Sequence, residues 1–389
     1  QTGEDLRIIY QVFDINEIML TKIERGHEDF DVVCPSEYII ERMLRKDLLL
    51  PIDRNFGHTP DYIPNVSPYI RHELNKTSQP ERQTEDYAVP YMWGTAGILF
   101  NKKFITAEEA DTWDILWDSK NRGKILMKDS YRDAYGTAII YAHARELADS
   151  TVTVEQLMND NSPQAIALAE QRLKEMKPNI AGWEADFGKE MMTKNKAWIN
   201  FTWSGDAVWA IEEADAVGVE LDYTVPCEGS NIWYDGWVIP KYAGNPKAAA
   251  YFINYLCRPD IALRNMDAIG YVSAVATPEI MEAKRDTAIA TRSDLSYFFG
   301  EGVGADSLQI NPVQYPDRKV VERCAMIRDF GNRTELVLEM WSRVKGDNLN
   351  TGIVLLIFSV FGVLFVWLVY GKIRKYRQKQ RRHRRRRRR

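Results

Sequence analysis

The sequence predicts an α/β protein made of two domains, or of one divided body with two lobes, followed by a single membrane-crossing helix. Three observations carry that expectation. Short β-rich runs alternate with segments of helical spacing early in the chain, which argues for a parallel sheet with crossover helices. Residues 87–102, reading YAVPYMWGTAGILFNK, set Gly94 and Gly97 between two apolar runs. That is the pattern of a strand crossing between lobes, where the backbone bends or another segment comes close. Residues 352–370 (GIVLLIFSVFGVLFVWLVY) are nineteen without a charge, about 28 Å as a helix and close to a bilayer's hydrocarbon thickness.

Taken in order, residues 6–12 (LRIIYQV) are β-rich and 14–26 have helical spacing. Residues 29–34 (DFDVVC) read as a short buried strand leading through Pro35 and Ser36 into a capped amphipathic helix, SEYIIERMLRK. Ligands of such sheets bind beyond the carboxyl ends of the strands, which makes the turn from Pro35 to Tyr38 a candidate site. Ser36 either caps the helix, contacts a ligand, or does both. Residues 53–86 are polar and rich in Pro and Asn, a surface excursion. After the crossing strand, 112–117 read as a short helix and 123–128 as a strand. It ends at DSYRDAY, where Asp129 or Ser130 caps a helix and Asp133 falls in its first turn. Two helices are expected over 152–175, another over 183–194, a strand over 196–201 and a helix over 206–217. Residues 223–226 lead into a strand at 231–240. Residues 245–257 and 259–266 are expected to be helical, 270–274 a loop returning toward the cleft, and 317–343 two closing helices.

Of 389 residues, 45% are hydrophobic and 27% charged, with a formal net charge of −4. That balance hides a segregation. Residues 372–389 carry thirteen Lys and Arg and no acid, leaving 38 basic against 55 acidic side chains before them, a formal charge near −17. Such a body repels nucleic acid and phosphate ligands and favours cations, so no nucleic-acid partner is expected. The basic run keeps the C-terminus cytoplasmic, Trp367 and Tyr370 fall where interfacial anchors do, and the acidic body then lies outside the cytoplasm. Four cysteines (Cys34, Cys227, Cys257, Cys324) and five histidines (His27, His58, His72, His143, His383) show no metal or redox spacing. No nucleophile elbow is present either. Neither a cofactor, a metal nor an enzymatic activity is expected. The chain opens on Gln1 with no signal peptide, as a processed chain or a fragment does.

As a strand, NIWYDGWVIP (231–240) turns Trp233, Asp235 and Trp237 to one face and Ile232 and Tyr234 to the other. Indoles around a carboxylate make a wall for an organic cation. The ring offers cation–π attraction worth about 0.5 to 2 kcal/mol, and the acid offers a charge-assisted hydrogen bond to an ammonium. In NFTWSGDA (200–207), Trp203 and Asp206 repeat the pairing around a Ser-Gly turn. Either stretch alone also fits partly buried packing with turn-capping aspartates; two in one chain favour the cation.

The segments DVVCPSEYIIERM, YAVPYMWGTAGILFN, WDILWDSKNRGKILMKD, FTWSGDA, IWYDGWVIP and FINYLCRPDIALRNMDAIGY together resemble the spermidine/putrescine-binding proteins of bacterial ABC polyamine importers, over roughly residues 5–345. The resemblance implies a two-lobed periplasmic-binding-protein fold, type II-like, with hinge crossings near Gly94, Gly97 and Gly236. It places 1–95 in lobe 1, 96–234 in lobe 2, 235–279 back in lobe 1, and 280–347 in lobe 2 and C-terminal helices. The membrane helix (352–370) and a basic cytoplasmic tail (371–389) follow. It implies capture of a polyamine without chemistry, and recognition of the closed form by ABC permease subunits.

By the same resemblance, Ser36 and Tyr38 are first-lobe contacts, and Trp203 and Trp233 are aromatic walls along the methylene chain. Asp235 takes one ammonium, Tyr271 is a further cleft aromatic, and Asp133 is the second acid of an acid-rich segment. Asp206 stands where putrescine-type members are acidic and spermidine-type members small and neutral. Three departures matter. The aromatic segment of the family's first strand falls before Gln1, Ser130 replaces an acid of spermidine-type members, and Ile327 replaces a polar contact. With fewer acids for a second amine, putrescine is expected over spermidine. The membrane span implies a tethered binding protein, or the last part of a permease fusion.

Overall fold

The computed structural model describes residues 7–346, apart from positions 14, 27, 29 and 186, and beyond them residues 358–361, 367, 369 and 370. Eight strands appear among these: β1 (Leu49–Leu50), β2 (Ala88–Asn101), β3 (Ile125–Lys128), β4 (Ile180–Glu184), β5 (Ile199–Trp203), β6 (Leu221–Thr224), β7 (Ile232–Pro240) and β8 (Val272–Ser273). They follow the order β1-β7-β2-β5-β3-β4, with β6 and β8 also paired to β2.

Everything turns on β2. Residues 88–95 pair antiparallel with β7, and 96–100 pair antiparallel with β5. One strand therefore belongs to two sheets, and the exchange falls at the Gly94–Gly97 stretch, as its sequence predicts. A Cβ on Gly94 would lie 2.5 Å from Ser204 Oγ and 2.7 Å from the Trp233 ring, and one on Gly97 would lie 2.4 Å from the Thr224 carbonyl. Only glycine lets the segments of both lobes come this close. Pro90 has no N–H to give, and the β2–β7 register shifts between Pro90 and Met92.

The expected parallel sheet with crossover helices is found only in part. The second-lobe ladders β3–β4 and β3–β5 are parallel, but every ladder of β2 is antiparallel. A strand shared by two lobes has returning strands as neighbours, so crossover pairing is confined to β3, β4 and β5. Residues 183–194 are not one helix: β4 takes Trp183 and Glu184, and the helix starts at Gly188.

One core packs Ile39, Ile40, Ile70, Trp93, Tyr234 and Ile253 together with Leu295, Phe298, Leu308, Ile310 and Tyr315. Trp93 stacks on Phe298 with centroids 5.3 Å apart. The chain after residue 280 thus helps to bury the β7 side of the sheet. The polar stretch 53–86 is not merely a surface excursion, because the helix Pro68–Asn75 sends Ile70 and Leu74 into this core. A separate core gathers Leu99, Leu126, Met192, Ala207, Val208 and Leu221 around β2, β3 and the helix Ser204–Asp215.

Two expectations fail or fall outside view. Residues 7–13 form no strand despite their β-rich composition, and Ile8, Ile9, Tyr10 and Val12 are exposed. Strand propensity without a ladder partner does not order a backbone. The membrane span expected at 352–370 lies mostly outside the described residues, as does the tail at 371–389. Among the described residues, no helix is long and apolar enough to cross a membrane. All four cysteines are free thiols.

Candidate functional site

The crossing strand brings the two predicted aromatic–acid pairs together. Gly94 pairs with Trp233 on one edge of β2, and Ala96 pairs with Trp203 on the other. The indoles at 203 and 233, thirty residues apart in sequence, thus flank two neighbouring positions of one strand. Tyr271 joins them from the loop after Gly270, whose positive φ of 82° turns the chain back toward the cleft. Its ring meets Trp233 edge-on with centroids 5.3 Å apart. The ring also lies against Gly205, where a Cβ would come within 2.4 Å of it.

Asp235 occupies the first-lobe side. Ser36 Oγ donates to its Oδ1 at 2.8 Å, and the two residues form an isolated bridge between the Pro35 turn and β7. Ser36 sits at the N-cap of the helix Glu37–Arg45 but makes no side-chain cap bond, its hydroxyl being turned to Asp235. Burial pushes the Asp235 carboxyl up to about 6, with the Ser36 hydrogen bond pulling the other way. Behind it, burial raises Glu37 to about 8, although the Tyr234 N–H donates to that carboxylate; the charge of Asp235 adds to the rise. Burial thus disfavours the charged form of both carboxyls, more strongly for Glu37 than for Asp235.

Asp133 occupies the second-lobe side, in the first turn of the helix Tyr131–Ala142, which Ser130 caps. It accepts from Trp203 Nε1 at 3.3 Å and from Asn231 Nδ2 at 2.9 Å. Neither Asp133 nor Asp235 has a basic partner among the described residues. Trp233 Nε1 and Asn231 Oδ1 are buried beside them with no hydrogen-bond partner. Two carboxylates, one from each lobe, are left for a cation to satisfy.

Asp206, the remaining acid among the expected ligand contacts, already has a cation beside it: Lys128 Nζ lies 2.7 Å from Asp206 Oδ2 and 4.5 Å from the centre of the Trp203 ring. Lys189 Nζ approaches Asp206 Oδ1 at 3.4 Å. Burial first, then the charge of Asp206, push the Tyr271 hydroxyl well above the usual tyrosine range. Asp206 belongs to the site, but its charge is already met.

Tyr38 closes the first-lobe side with partners that no local pattern around it suggests. Its hydroxyl donates to Glu17 Oε1 at 3.2 Å, and Tyr131 of the second lobe donates to the same oxygen at 2.7 Å. Asn16 Nδ2 reaches Ser36 Oγ at 3.2 Å and Tyr38 at 3.3 Å. The Arg132 guanidinium lies 4.1 Å over the Tyr38 ring and 4.2 Å over Phe330. These contacts cross from lobe to lobe, which is a closed arrangement. Ile327, where a polar contact was looked for, is buried.

Of the eight predicted residues, Ser36, Tyr38 and Asp235 gather on the first-lobe side, while Asp133, Trp203 and Asp206 gather around Lys128 and Trp233 meets Tyr271. The residues missed are Lys128, Glu184, Asn16, Glu17, Asn231 and Tyr131. Lys128 and Glu184 end β3 and β4 side by side, where the carboxyl ends of parallel strands hold ligands; that rule was the available signal. Two surface cavities of about 410 and 550 Å³ lie away from this cluster. Among the described residues, no group of three or more His, Cys, Asp or Glu is placed to hold a metal ion.

Comparison with known proteins agrees with this geometry. The chain is 26% identical over 346 residues to the spermidine/putrescine-binding periplasmic protein of Escherichia coli, covering 89% of this chain and 85% of that one. It is 28% identical over 298 residues to the putrescine-binding periplasmic protein of the same organism, covering 74% and 76%. Its fold is similar to that of the spermidine/putrescine ABC transporter substrate-binding protein of Streptococcus pneumoniae, with a TM-score of 0.64, 27% identity, and coverage of 87% and 90%. Residues 3–291 match the family model described as bacterial extracellular solute-binding protein, and the chain belongs to that family.

Proposed function

We propose that this protein captures a polyamine outside the cytoplasm, in the cleft between its lobes, for delivery to the permease of an ABC importer. One observation carries the reading: Asp235 and Asp133, one from each lobe, lack basic partners among the described residues and stand beside the Trp203, Trp233 and Tyr271 rings. An alkyl diamine has a charge at each end and an apolar middle, and this lining matches it group for group. Relatives named for spermidine and putrescine support the substrate class. Putrescine is the favoured ligand, because Asp206 stands where putrescine-type members are acidic and Ser130 where spermidine-type members carry an acid. The site residues act as binders, and no chemical step is assigned. The exchange of sheets at β2 supports the proposed lobe division, and the packing of Leu295–Tyr315 in the core around β7 supports counting that part of residues 280–347 with the first lobe. The charge-free run at 352–370 and the basic run after it support a single-pass tether with a cytoplasmic C-terminus.

Calorimetric titration with putrescine, cadaverine, spermidine and spermine tests the reading. Saturable 1:1 binding of putrescine is expected, and absence of saturable binding to all four amines would overturn it. The pH dependence has a definite sign. A folded-state value of about 6 for Asp235 lies above the ordinary 3.8, so ionising this group costs the unliganded fold stability as pH rises through that interval. A bound ammonium needs the ionised form. Proton and ligand therefore compete, and affinity should be roughly tenfold lower at pH 5 than at pH 7.5.

A further inference from the structure

The resident cation at the carboxyl end of β3 has a consequence for ligand length. Lys128 ends β3, Glu184 ends β4 and Trp203 ends β5, so all three project from the same edge of the parallel ladders. The Lys128 side chain is only 3% exposed. Its ammonium is held by Asp206 at 2.7 Å and Glu184 at 3.4 Å, with the Trp203 ring 4.5 Å away. Glu184 is itself fixed by the Gly188 N–H at 3.1 Å and by Asn200 Nδ2 at 3.4 Å, and Lys189 Nζ approaches Asp206 at 3.4 Å. Carboxylates, an indole face and an apolar stem are what a protein provides for an alkylammonium ligand. Here the occupant is a butylammonium arm of the chain itself.

We propose that Lys128 permanently fills one ammonium subsite of the cleft and so sets the upper limit on ligand length. This rests on the polyamine reading and deepens it. A diamine spans the carboxylates left free, Asp235 and Asp133. A triamine has one more charged segment, and among the described residues the only further aromatic–acid subsite of the cluster is occupied. To seat that segment a longer ligand must expel a buried, doubly paired ammonium, which strands its positive charge among like charges.

Two measurements on the Lys128→Ala variant test the proposal. In the first, titrations of wild type and variant with putrescine and spermidine are compared. The ratio of spermidine to putrescine affinity should rise by about tenfold or more on truncation, and an unchanged ratio overturns the proposal. Lys128→Met keeps the stem and removes the charge, so it should not produce that rise; an equal rise in it also overturns the proposal. In the second, thermal unfolding is followed with n-propylammonium, the fragment that truncation removes, and with n-propanol as the uncharged control. The amine alone should raise the midpoint of the variant while leaving wild type unmoved. No shift, or an equal shift in both proteins, overturns the proposal. If the variant does not fold unaided, n-propylammonium in the refolding buffer should restore it, and failure to do so counts against the subsite. Should wild type bind neither polyamine, the polyamine reading falls, and the thermal measurement alone decides whether an alkylammonium subsite exists.

Discussion

Replacing Asp235 with Asn is expected to weaken putrescine binding by about 30-fold or more while leaving the unliganded protein at least as stable as before. The two halves of this result come from one cause. Burial already disfavours the ionised carboxylate, which is why its value rises to about 6. A neutral amide removes that cost from the empty cleft and still offers an oxygen to Ser36 Oγ, now 2.8 Å from Asp235. In the complex, the same change leaves a desolvated ammonium without its counter-charge. Truncating one member of a buried charge pair costs about 2 to 5 kcal/mol, and most of it appears as faster release. Titration calorimetry and thermal unfolding of the same sample separate the two effects. Wild-type affinity in the variant would remove Asp235 from the site, and loss of affinity together with loss of folding would leave it a structural residue.

The second large effect is expected from Asp329→Ala, in the fold rather than in binding. The Asp329 side chain is fully buried and accepts from Arg42 at 2.7 and 3.0 Å, from Arg45, and from the Gly331 N–H at 3.1 Å. Its own N–H donates to Glu41 at 2.9 Å, and Arg328 grips Glu41 at 2.7 and 3.0 Å. The Arg328 N–H is in turn held by Asn159 at 2.7 Å. This network ties the helix Glu37–Arg45 of the first lobe, through 328–331, to the second. Removing Asp329 leaves Arg42 and Arg45 facing each other without the acid between them, a loss of about 3 to 5 kcal/mol. Burial by itself would raise the Asp329 carboxyl, but the Arg42 hydrogen bonds and both arginine charges hold it below the ordinary value. Its contribution is therefore present above about pH 4 and is lost as pH falls through the depressed folded value. Chemical denaturation should show a lower midpoint for the variant at pH 7, and a difference from wild type that shrinks in acid. A variant as stable as wild type at pH 7 would mean that the network adds nothing.

The parts of the fold that were legible in the sequence are those where a local pattern had only one good solution. Two glycines inside an apolar run could serve a strand only at a close crossing, and Gly94 and Gly97 do so. The alternation in NIWYDGWVIP fixed which side chains share a face, and β7 keeps Trp233 and Asp235 together on the cleft side. Residues whose partners lie far along the chain were not legible. Nothing near Glu17 says that it meets Tyr38 and Tyr131, and nothing in WSGD says that Lys128, 78 positions earlier, will reach Asp206. Residues 7–13 show the converse failure: their strand-forming side chains describe a preference, and a preference without an adjacent ladder leaves Ile8 and Tyr10 in solvent. Trp183 and Glu184 were drawn into a helix because the helical spacing after Gly188 extends backward over them, while the ladder to β3 decides otherwise.

The most direct test of the two-carboxylate clamp is a crystal structure of this protein grown with putrescine. One ammonium nitrogen is predicted within hydrogen-bonding distance of Asp235 and the other in reach of Asp133, with the methylene chain against Trp233 and Lys128 still paired to Asp206. Putrescine bound elsewhere, or an interlobe cleft in which Asp235 and Asp133 touch no part of it, would contradict the account.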